Sequence, residues 1–482
     1  MSARSRELFG LVPVSLLVTA GFTAVLVSRT NAPDTVTITY GAIFLGCCVF
    51  AHLFIRARLP DADPHLFPLA ALLAAFGLVM IYRIDEELAR EQAQWFVFGL
   101  LLFCAAVVFL RDHRILERYR YTIAAVGIGL LLLPRVPGFG AQVNGAFLAV
   151  KVGPIQFQPA EFAKLAIIVF LASYLRDTRD VLVQRELRDV GPRELALLTV
   201  PALIVALLAG AAFGASLFGA LVAGAAVATL TALALERPSL KHFGPLLLVW
   251  GLAMVMLVFI RDLGSSLMFF GGFLGLLYVA TARMTLIAAG SVMFVAGAAF
   301  FANSVNHVHE RVDIWLDPFA RGVVDKEGYQ IAQSLFAQAD GGLFGQGFGQ
   351  ALLELPNGGT ILPAPHTDLI YAVITNELGL FGAAALILVY LLFVARGFKT
   401  ALLATDGFSK LLAAGLTTVF ALQVFVIVGG VTRVIPLTGV TLPFVSYGGS
   451  SIVANMVLLA LLLIVSDHTR RDPERMPGGG VV

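Results

Sequence analysis

Residues 362–380 read LPAPHTDLIYAVITNELGL. A polar, proline-bearing approach carries His366, Thr367 and Asp368, and a long apolar run follows at once. About 20 apolar residues in a helix cross roughly 30 Å of hydrocarbon, so the run reads as a membrane span. Asp368 then sits on the threshold between a water-exposed loop and the bilayer. A carboxylate there is costly unless it has a partner or a use.

The same pattern recurs along the chain. Of 482 residues, 59% are hydrophobic and only 13% charged, with a mean hydropathy of +0.88. A soluble protein of this length needs far more polar surface. The composition predicts an all-α polytopic membrane protein with about 14 spans (12–14), starting near Leu8, Ile38, Leu66, Trp95, Tyr121, Pro159, Leu195, Ser216, Phe243, Ser265, Thr285, Asp368, Lys410 and Ser446. The 41-residue stretch from Leu195 to Leu235 has to fold back as a hairpin, with its turn near Gly214 to Gly219. The basic N-terminus lacks a small-residue cleavage site before Asn31, so the first span is expected to be uncleaved. Cys47, Cys48 and Cys104 all lie in apolar runs and suggest neither a metal site nor a disulfide framework. The formal charge of +2 says nothing about nucleic acid, and no basic tract suggests it, so no nucleic-acid partner is expected.

About two thirds of the 33 Lys and Arg residues fall in alternate loops, among them Arg4 and Arg6, Arg56 and Arg58, Arg111 to Arg120, Arg396 and Lys399, and Arg470 and Arg471. By the positive-inside rule both termini are cytoplasmic. The loops with motif-like composition, Pro134–Gln158, Arg261–Ser265, Asn303–His366 and Arg433–Tyr447, then face outside. Long outer loops rich in Gly and Pro are candidate functional elements. No inner loop is long enough for an ATP-binding domain.

Five stretches hold residues that could carry chemistry. Asp368 suits general-base work, and it equally suits a plain helix cap. Asp262, in FIRDLGSS, interrupts two apolar runs at a turn supplied by Gly264 and Ser265, where a local pair with Arg261 is the simpler reading. In FQPAEFAK, Pro159 opens a helix and puts Glu161 and Lys164 on one face, as a structural ion pair or as part of a wet cavity. Arg311 to Gly349 combines an interfacial amphipathic helix, Ile331 to Phe336, with a flexible glycine-rich loop. Thr438 to Ser451 reads as a re-entrant approach to the last span. GxSxG and HExxH motifs are absent. Outward carboxylates with a Lys and several Arg suit either sugar and phosphate chemistry or a cation-coupled transporter, and composition does not separate the two.

In this order, FQPAEFAK, DLGSS, WLDP, GYQIAQS, GGLFGQGFG, HTDLIYAVITNELG and TGVTLPFVSYGGSS resemble the SEDS family (RodA, FtsW and SpoVE), over roughly Leu66 to Ser466. The likeness is greatest to actinobacterial RodA-type members. It implies a ten-helix core within residues 61–469, preceded by two extra spans in 1–60 and followed by a cytoplasmic tail, 470–482. An inserted hairpin would occupy 195–236 and a large outer loop 302–367. The implied activity is a peptidoglycan glycosyltransferase that polymerises lipid II at the outer face of the plasma membrane, for elongation, shape or division. The implied partner is a class B penicillin-binding protein.

The resemblance carries a catalytic role to Asp368, Asp262, Glu161 and Lys164. It carries substrate contacts to Arg311, Gln333, Ser334, His366, Thr367, Pro443, Ser446, Gly448, Gly449 and Ser450. A divalent cation, Mg or Mn, is placed at Asp262, with no nucleotide or organic cofactor. The chain departs from the family pattern at Phe147 and Ala149, at Ile260-Arg261, and at Asn376-Glu377. A lipid II flippase or a non-catalytic scaffold for the transpeptidase stands as the alternative function.

Overall fold

A bilayer offers no water to backbone N–H and C=O groups, so each crossing segment has to close its own hydrogen bonds as a helix. The structure is a computed structural model that describes residues 3–29, 35–110, 112–143, 146–153, 155–183, 251, 262–288, 290–292, 294–295, 306–353 and 361–471. The helices are α1 (Ala3–Arg29), α2 (Thr35–Arg58), α3 (Leu66–Ile84), α4 (Glu86–Phe109), α5 (Ile115–Arg118), α6 (Arg120–Leu132), α7 (Pro159–Val183), α8 (Leu263–Thr281), α9 (Asn306–Leu316), α10 (Tyr329–Gly341), α11 (Ile370–Leu403), α12 (Gly407–Val431) and α13 (Gly449–Arg471). Among the described residues, eight helices are long and apolar enough to span a membrane: α1 to α4, α8 and α11 to α13. The spans expected near Leu195, Ser216 and Phe243, and with them the 195–236 hairpin, lie outside the described residues.

Two local expectations are corrected. Helix α4 starts at Glu86 instead of near Trp95, because the Asp85 carboxylate accepts from the N–H groups of Glu87 (2.8 Å) and Leu88 (3.1 Å). That cap lets the polar sequence EELAREQ form the first two turns. The chain is also not wholly helical. Within Pro134–Gln158 it forms an antiparallel meander of β1 (Gly140–Val143), β2 (Ala146–Val152) and β3 (Ile155–Phe157). Val150 pairs with Phe157 and Ala141 with Ala149, and the β-branched and aromatic residues of AFLAVKV suit a pleated surface.

Helices alternate in direction, so the segments before α3, before α5 and before α12 gather at one end, together with the start of α1 and the end of α13. Arg4 donates there to the Ala62 carbonyl, and Asp61 N–H donates to Asp467 at 2.8 Å. Asp63, fully buried, holds Arg396 and Arg470 together and accepts from His65 N–H at 2.9 Å. Burial alone would raise the Asp63 carboxyl. The Arg396 hydrogen bond, the His65 N–H and the two guanidinium charges overcome it and hold the group below the ordinary carboxylate range. Its contribution to stability is therefore complete above about pH 4 and is lost as pH falls through the depressed value.

At the opposite end α11 is broken. Gly379 adopts φ +66°, ψ −170° inside it, which separates a buried half-helix, 370–378, from the long remainder. The backbone groups freed by the break are met by the glycine-rich segment after α10. Gln346 N–H donates to Asn376 O (2.9 Å) and Gly347 N–H to Glu377 O (3.1 Å), while Leu380 N–H donates to Gly342 O (2.9 Å). Gly345 lies against the half-helix at φ +84°, and a Cβ there would stand 2.1 Å from Glu377 O. This segment was expected to be a free, flexible loop. It is instead docked, and glycine is what permits the approach.

Gly345→Ala is expected to destabilise the protein by more than about 4 kcal/mol, since a backbone clash adds to left-handed strain. Gly138→Ala, at φ +90° with open space around it, should cost only about 1 kcal/mol. Thermal unfolding in detergent would separate them, and equal Tm values would contradict the docked arrangement.

Candidate active site

From Thr432 to Gly448 the chain crosses the end of the bundle without regular structure, yet Leu442, Phe444 and Val445 are almost completely buried. Arg433 (φ +61°) and Phe444 (φ +64°) take left-handed backbone, which costs a side-chain-bearing residue about 1 kcal/mol or more. Side chains from elsewhere satisfy this segment. Arg311 Nη1 donates to Leu437 O (2.7 Å), Gln423 Nε2 to Thr441 O (2.9 Å), Tyr390 Oη to Pro443 O (2.6 Å) and Gln92 Nε2 to Ser446 O (3.0 Å). The Ser446 hydroxyl accepts from Leu442 N–H (2.9 Å) and donates to Thr367 O (2.8 Å). Tyr447 N–H donates to His366 O (2.8 Å).

Of the residues singled out from the sequence, Arg311 bonds residues 437–441 directly and Asp368 lies beside Gly439, while Lys164 reaches the segment through Gln423 and Asp262 sits two residues before Gly264, which packs on the segment. Lys164 and Glu161, both buried on the first turns of α7, pair at 2.6 Å. Lys164 Nζ also donates to Gln423 Oε1 at 2.7 Å, and Gln423 in turn holds Thr441. Asp262 is the N-cap of α8, accepting from Ser265 N–H (2.8 Å) and Ser265 Oγ (2.6 Å). Gly264 and Ser265 are thus the first helical turn and not a separate turn. Gly264 is needed for contact, because a Cβ there would stand 2.0 Å from Val440 Cγ2. The proposed partner Arg261 lies outside the described residues.

Asp368 does not cap α11. The cap position is Leu369, and no side chain bonds there. The carboxylate is left with the Thr367 hydroxyl and the nearby Arg311 charge. Gly439, at φ +74°, runs beside it, close enough that a Cβ would lie 3.6 Å from Asp368 Oδ2.

Electrostatics follow from this packing. Burial pushes the Asp368 carboxyl up to about 6, against the pull of Arg311 and the Thr367 hydroxyl. Asp262 is also raised, first by burial and further by the Glu161 charge, against the two Ser265 bonds and Arg311. Arg311 therefore acts on both carboxylates. His366, its ring edge-on to Tyr447, is lowered by burial.

The other candidates do structural work. Ser334 Oγ donates to Val431 O (3.3 Å), and Gln338 Nε2 reaches the same carbonyl (3.0 Å), tying α10 to the end of α12. The Gln333 side chain makes no hydrogen bond among the described residues. Gly448 N–H donates to Gln92 Oε1 (3.2 Å), and the Trp95 ring leaves no room for a Cβ at Gly449. Ser450 Oγ accepts from Gln158 N–H (2.8 Å). Phe147, one of the departures, lies under Arg135 at 5.2 Å. Gln423 and Gln92 were not anticipated. For Gln423 a signal was available, since an amide in an apolar span needs a partner, whereas Gln92 stands in the polar run EELAREQ and gave none.

Comparison with known proteins places the chain in a family. The family model FtsW/RodA/SpoVE, described as "Cell cycle protein", matches residues 64–233 and 217–471. Peptidoglycan glycosyltransferase RodA of Mycobacterium tuberculosis is 37% identical over 470 residues, covering 95% of this chain and 89% of the relative. Stage V sporulation protein E of Bacillus subtilis is 28% identical over 417 residues, covering 85% of this chain and 98% of that protein. A chain from a structure titled for coordination of polymerization and crosslinking by a peptidoglycan synthase complex superimposes with a TM-score of 0.58 at 26% identity, covering 85% of this chain and 99% of that one. Rod shape determining protein RodA of Thermus thermophilus shares the fold, with a TM-score of 0.51 at 24% identity over 85% of this chain and 98% of that one.

Lys164→Met leaves Glu161 buried and unpaired, and should cost about 3–5 kcal/mol. Adding Glu161→Gln removes the stranded charge and should restore part of the loss. A double-mutant cycle on Tm measures this, and additive losses would contradict the pairing.

Proposed function

Because the chain belongs to the FtsW/RodA/SpoVE family, it is a peptidoglycan glycosyltransferase, and we propose that it polymerises lipid II with Asp368 as the general base. The observation that carries the assignment is a carboxylate raised to about 6 that is not spent as a helix cap. A base with a pKa near working pH combines a useful deprotonated fraction with real proton affinity.

In this reading the acceptor sugar hydroxyl gives its proton to Asp368 as its oxygen bonds to the donor's anomeric carbon. The bond from that carbon to the diphosphate breaks, and the electron pair leaves with the diphosphate. Arg311, anchored on Leu437 O, offers positive charge to the leaving group. Lys164 contributes less, because Glu161 already neutralises it.

A divalent cation also fits the donor set. Each Asp262 oxygen accepts one bond from Ser265 and keeps a further lone pair, and the formal charges of Asp262, Glu161 and Asp368 exceed those of Lys164 and Arg311 by one. The three carboxylates are not gathered into a single ligand cluster, so Asp262 would hold Mg or Mn together with substrate oxygens, as Mg²⁺ commonly binds. When bound, the ion neutralises charge on the diphosphate.

The bias of basic residues supports cytoplasmic termini and an extracytoplasmic site in the plasma membrane. It is consistent with α1 beginning and α13 ending at the same end of the bundle. The synthase complex among the structural relatives supports a class B penicillin-binding protein as partner.

Asp368→Asn and Asp368→Ala should abolish glycan strand formation from lipid II by purified protein with its partner, and should fail to complement a deletion. Complementation by either variant would favour a scaffold, and lipid II crossing liposomes without strand formation would favour a flippase. The acid limb of kcat/KM should fall near pH 6, about tenfold per unit below it. A folded pKa above the unfolded value means that ionising Asp368 opposes folding. Asp368→Asn should therefore be at least as stable as the parent at pH 7.5, with any advantage vanishing below about pH 4, and a lower Tm at pH 7.5 would contradict the assignment.

A further inference from the structure

At the end of the bundle away from residues 437–441, three side chains from two distant parts of the chain meet. Asp112 and His113 lie between α4 and α5, and His468 lies in the last turn of α13. One ligand-type atom from each falls within 4.8 Å of the others, and the two imidazole rings stand edge to face, 5.2 Å apart. This is the one such group of His and carboxylate side chains among the described residues.

His113 is the informative member. Its ring is 1% exposed and stacks on Phe408. Nε2 is hydrogen-bonded to the Ser409 hydroxyl, while Nδ1 is buried without a hydrogen-bond partner among the described residues. A buried ring nitrogen without a partner is unfavourable, and proteins rarely leave one so. With Nε2–H donated to Ser409 Oγ, Nδ1 presents a bare lone pair, the form in which an imidazole binds a metal. A hydrogen bond on the far ring nitrogen is also how metal-bound histidines are usually oriented. Ser409 is itself held, since its N–H donates to Asp406 Oδ1 at 2.8 Å. Asp112 and His468 are exposed, which leaves a path for an ion from water.

We propose that Asp112, His113 and His468 form a binding site for a transition-metal dication of the Zn²⁺ class, separate from the glycosyltransferase site. Two imidazoles and a carboxylate suit Zn²⁺, with water as the fourth ligand, better than they suit Mg²⁺ or Ca²⁺, which prefer all-oxygen shells. The ion would tie the segment after α4 to the end of α13. At its other end α4 holds the 432–448 segment through Gln92, and α13 follows that segment directly, with Ser450 accepting from Gln158 N–H before α7.

The test uses full-length protein carrying no histidine tag, stripped with a chelator and titrated with Zn²⁺ alone or Co²⁺ alone. The parent should take up one Zn²⁺ per chain, show the visible absorption of four-coordinate Co²⁺, and gain several degrees in Tm. His468→Gln and Asp112→Asn, both at exposed positions, should each weaken uptake tenfold or more, while Asp262→Asn should leave it unchanged. His113→Ala is a poor probe by itself, because that ring also packs on Phe408. Absence of stoichiometric uptake by the parent, or uptake unaffected by both exposed-site variants, overturns the proposal.

Discussion

An irregular backbone buried in a membrane protein has to find a partner for every polar group, and this requirement organises the end of the bundle that bears the active site. Four carbonyls between residues 437 and 446 are met by side chains of Arg311, Gln423, Tyr390 and Gln92. Leaving them unmet would cost about 1–3 kcal/mol apiece, together comparable with the roughly 5–15 kcal/mol that keeps a typical protein folded. The same bonds place the chemistry. The Gln423 amide donates to Thr441 O and accepts from Lys164, so the group that holds the segment also fixes the Glu161–Lys164 pair beside it.

The break at Gly379 applies the rule a second time. A continuous α11 would carry its helix straight through the bundle. The break instead yields a short half-helix buried along its length, clasped by the glycine-rich segment and tied to α3 through Arg83 and Glu377 at 2.7 Å. Buried ion pairs add little net stability, yet losing one partner is expensive. The pair therefore makes the position of the half-helix costly to change. Thr367 and Asp368 lie at its open end, where Ser446 binds the Thr367 carbonyl. Asp368 inherits its place from constraints on residues to which the proposed mechanism gives no chemical step.

Much of this could be read from residue order. Asp368, Asp262 and the Glu161–Lys164 pair stood out because charge inside apolar runs is expensive. The spacing of Pro159, Glu161 and Lys164 was enough to predict a helix start and an i,i+3 pair. What could not be read depended on distance along the chain. Gln423 matters through Lys164, 259 residues earlier, and Gln92 through Ser446, 354 residues later. The glycines of GGLFGQGFG suggested flexibility, although their use is close contact with Thr375 and Glu377 backbone. The cap, one of the two readings that Asp368 left open, is not made for a reason of register, since α11 begins one residue too late for that carboxylate to reach its first N–H groups.

The two cations near the carboxylates differ in a way that decides their use. Lys164 is buried and paired with Glu161, so its charge is largely cancelled where it stands. Arg311 is exposed and bonded to a backbone carbonyl, and among the described residues it forms no ion pair with a carboxylate. Direct pairing with an arginine lowers an aspartate by roughly 1–3 pKa units. A paired Asp368 would be a weak base at neutral pH. The bond to Leu437 O tethers the guanidinium, where the proposed function needs positive charge, while burial still dominates the Asp368 carboxyl. In the proposed mechanism, base and anion-binding group thus remain distinct, one to take the proton of the acceptor hydroxyl and the other to face the departing diphosphate.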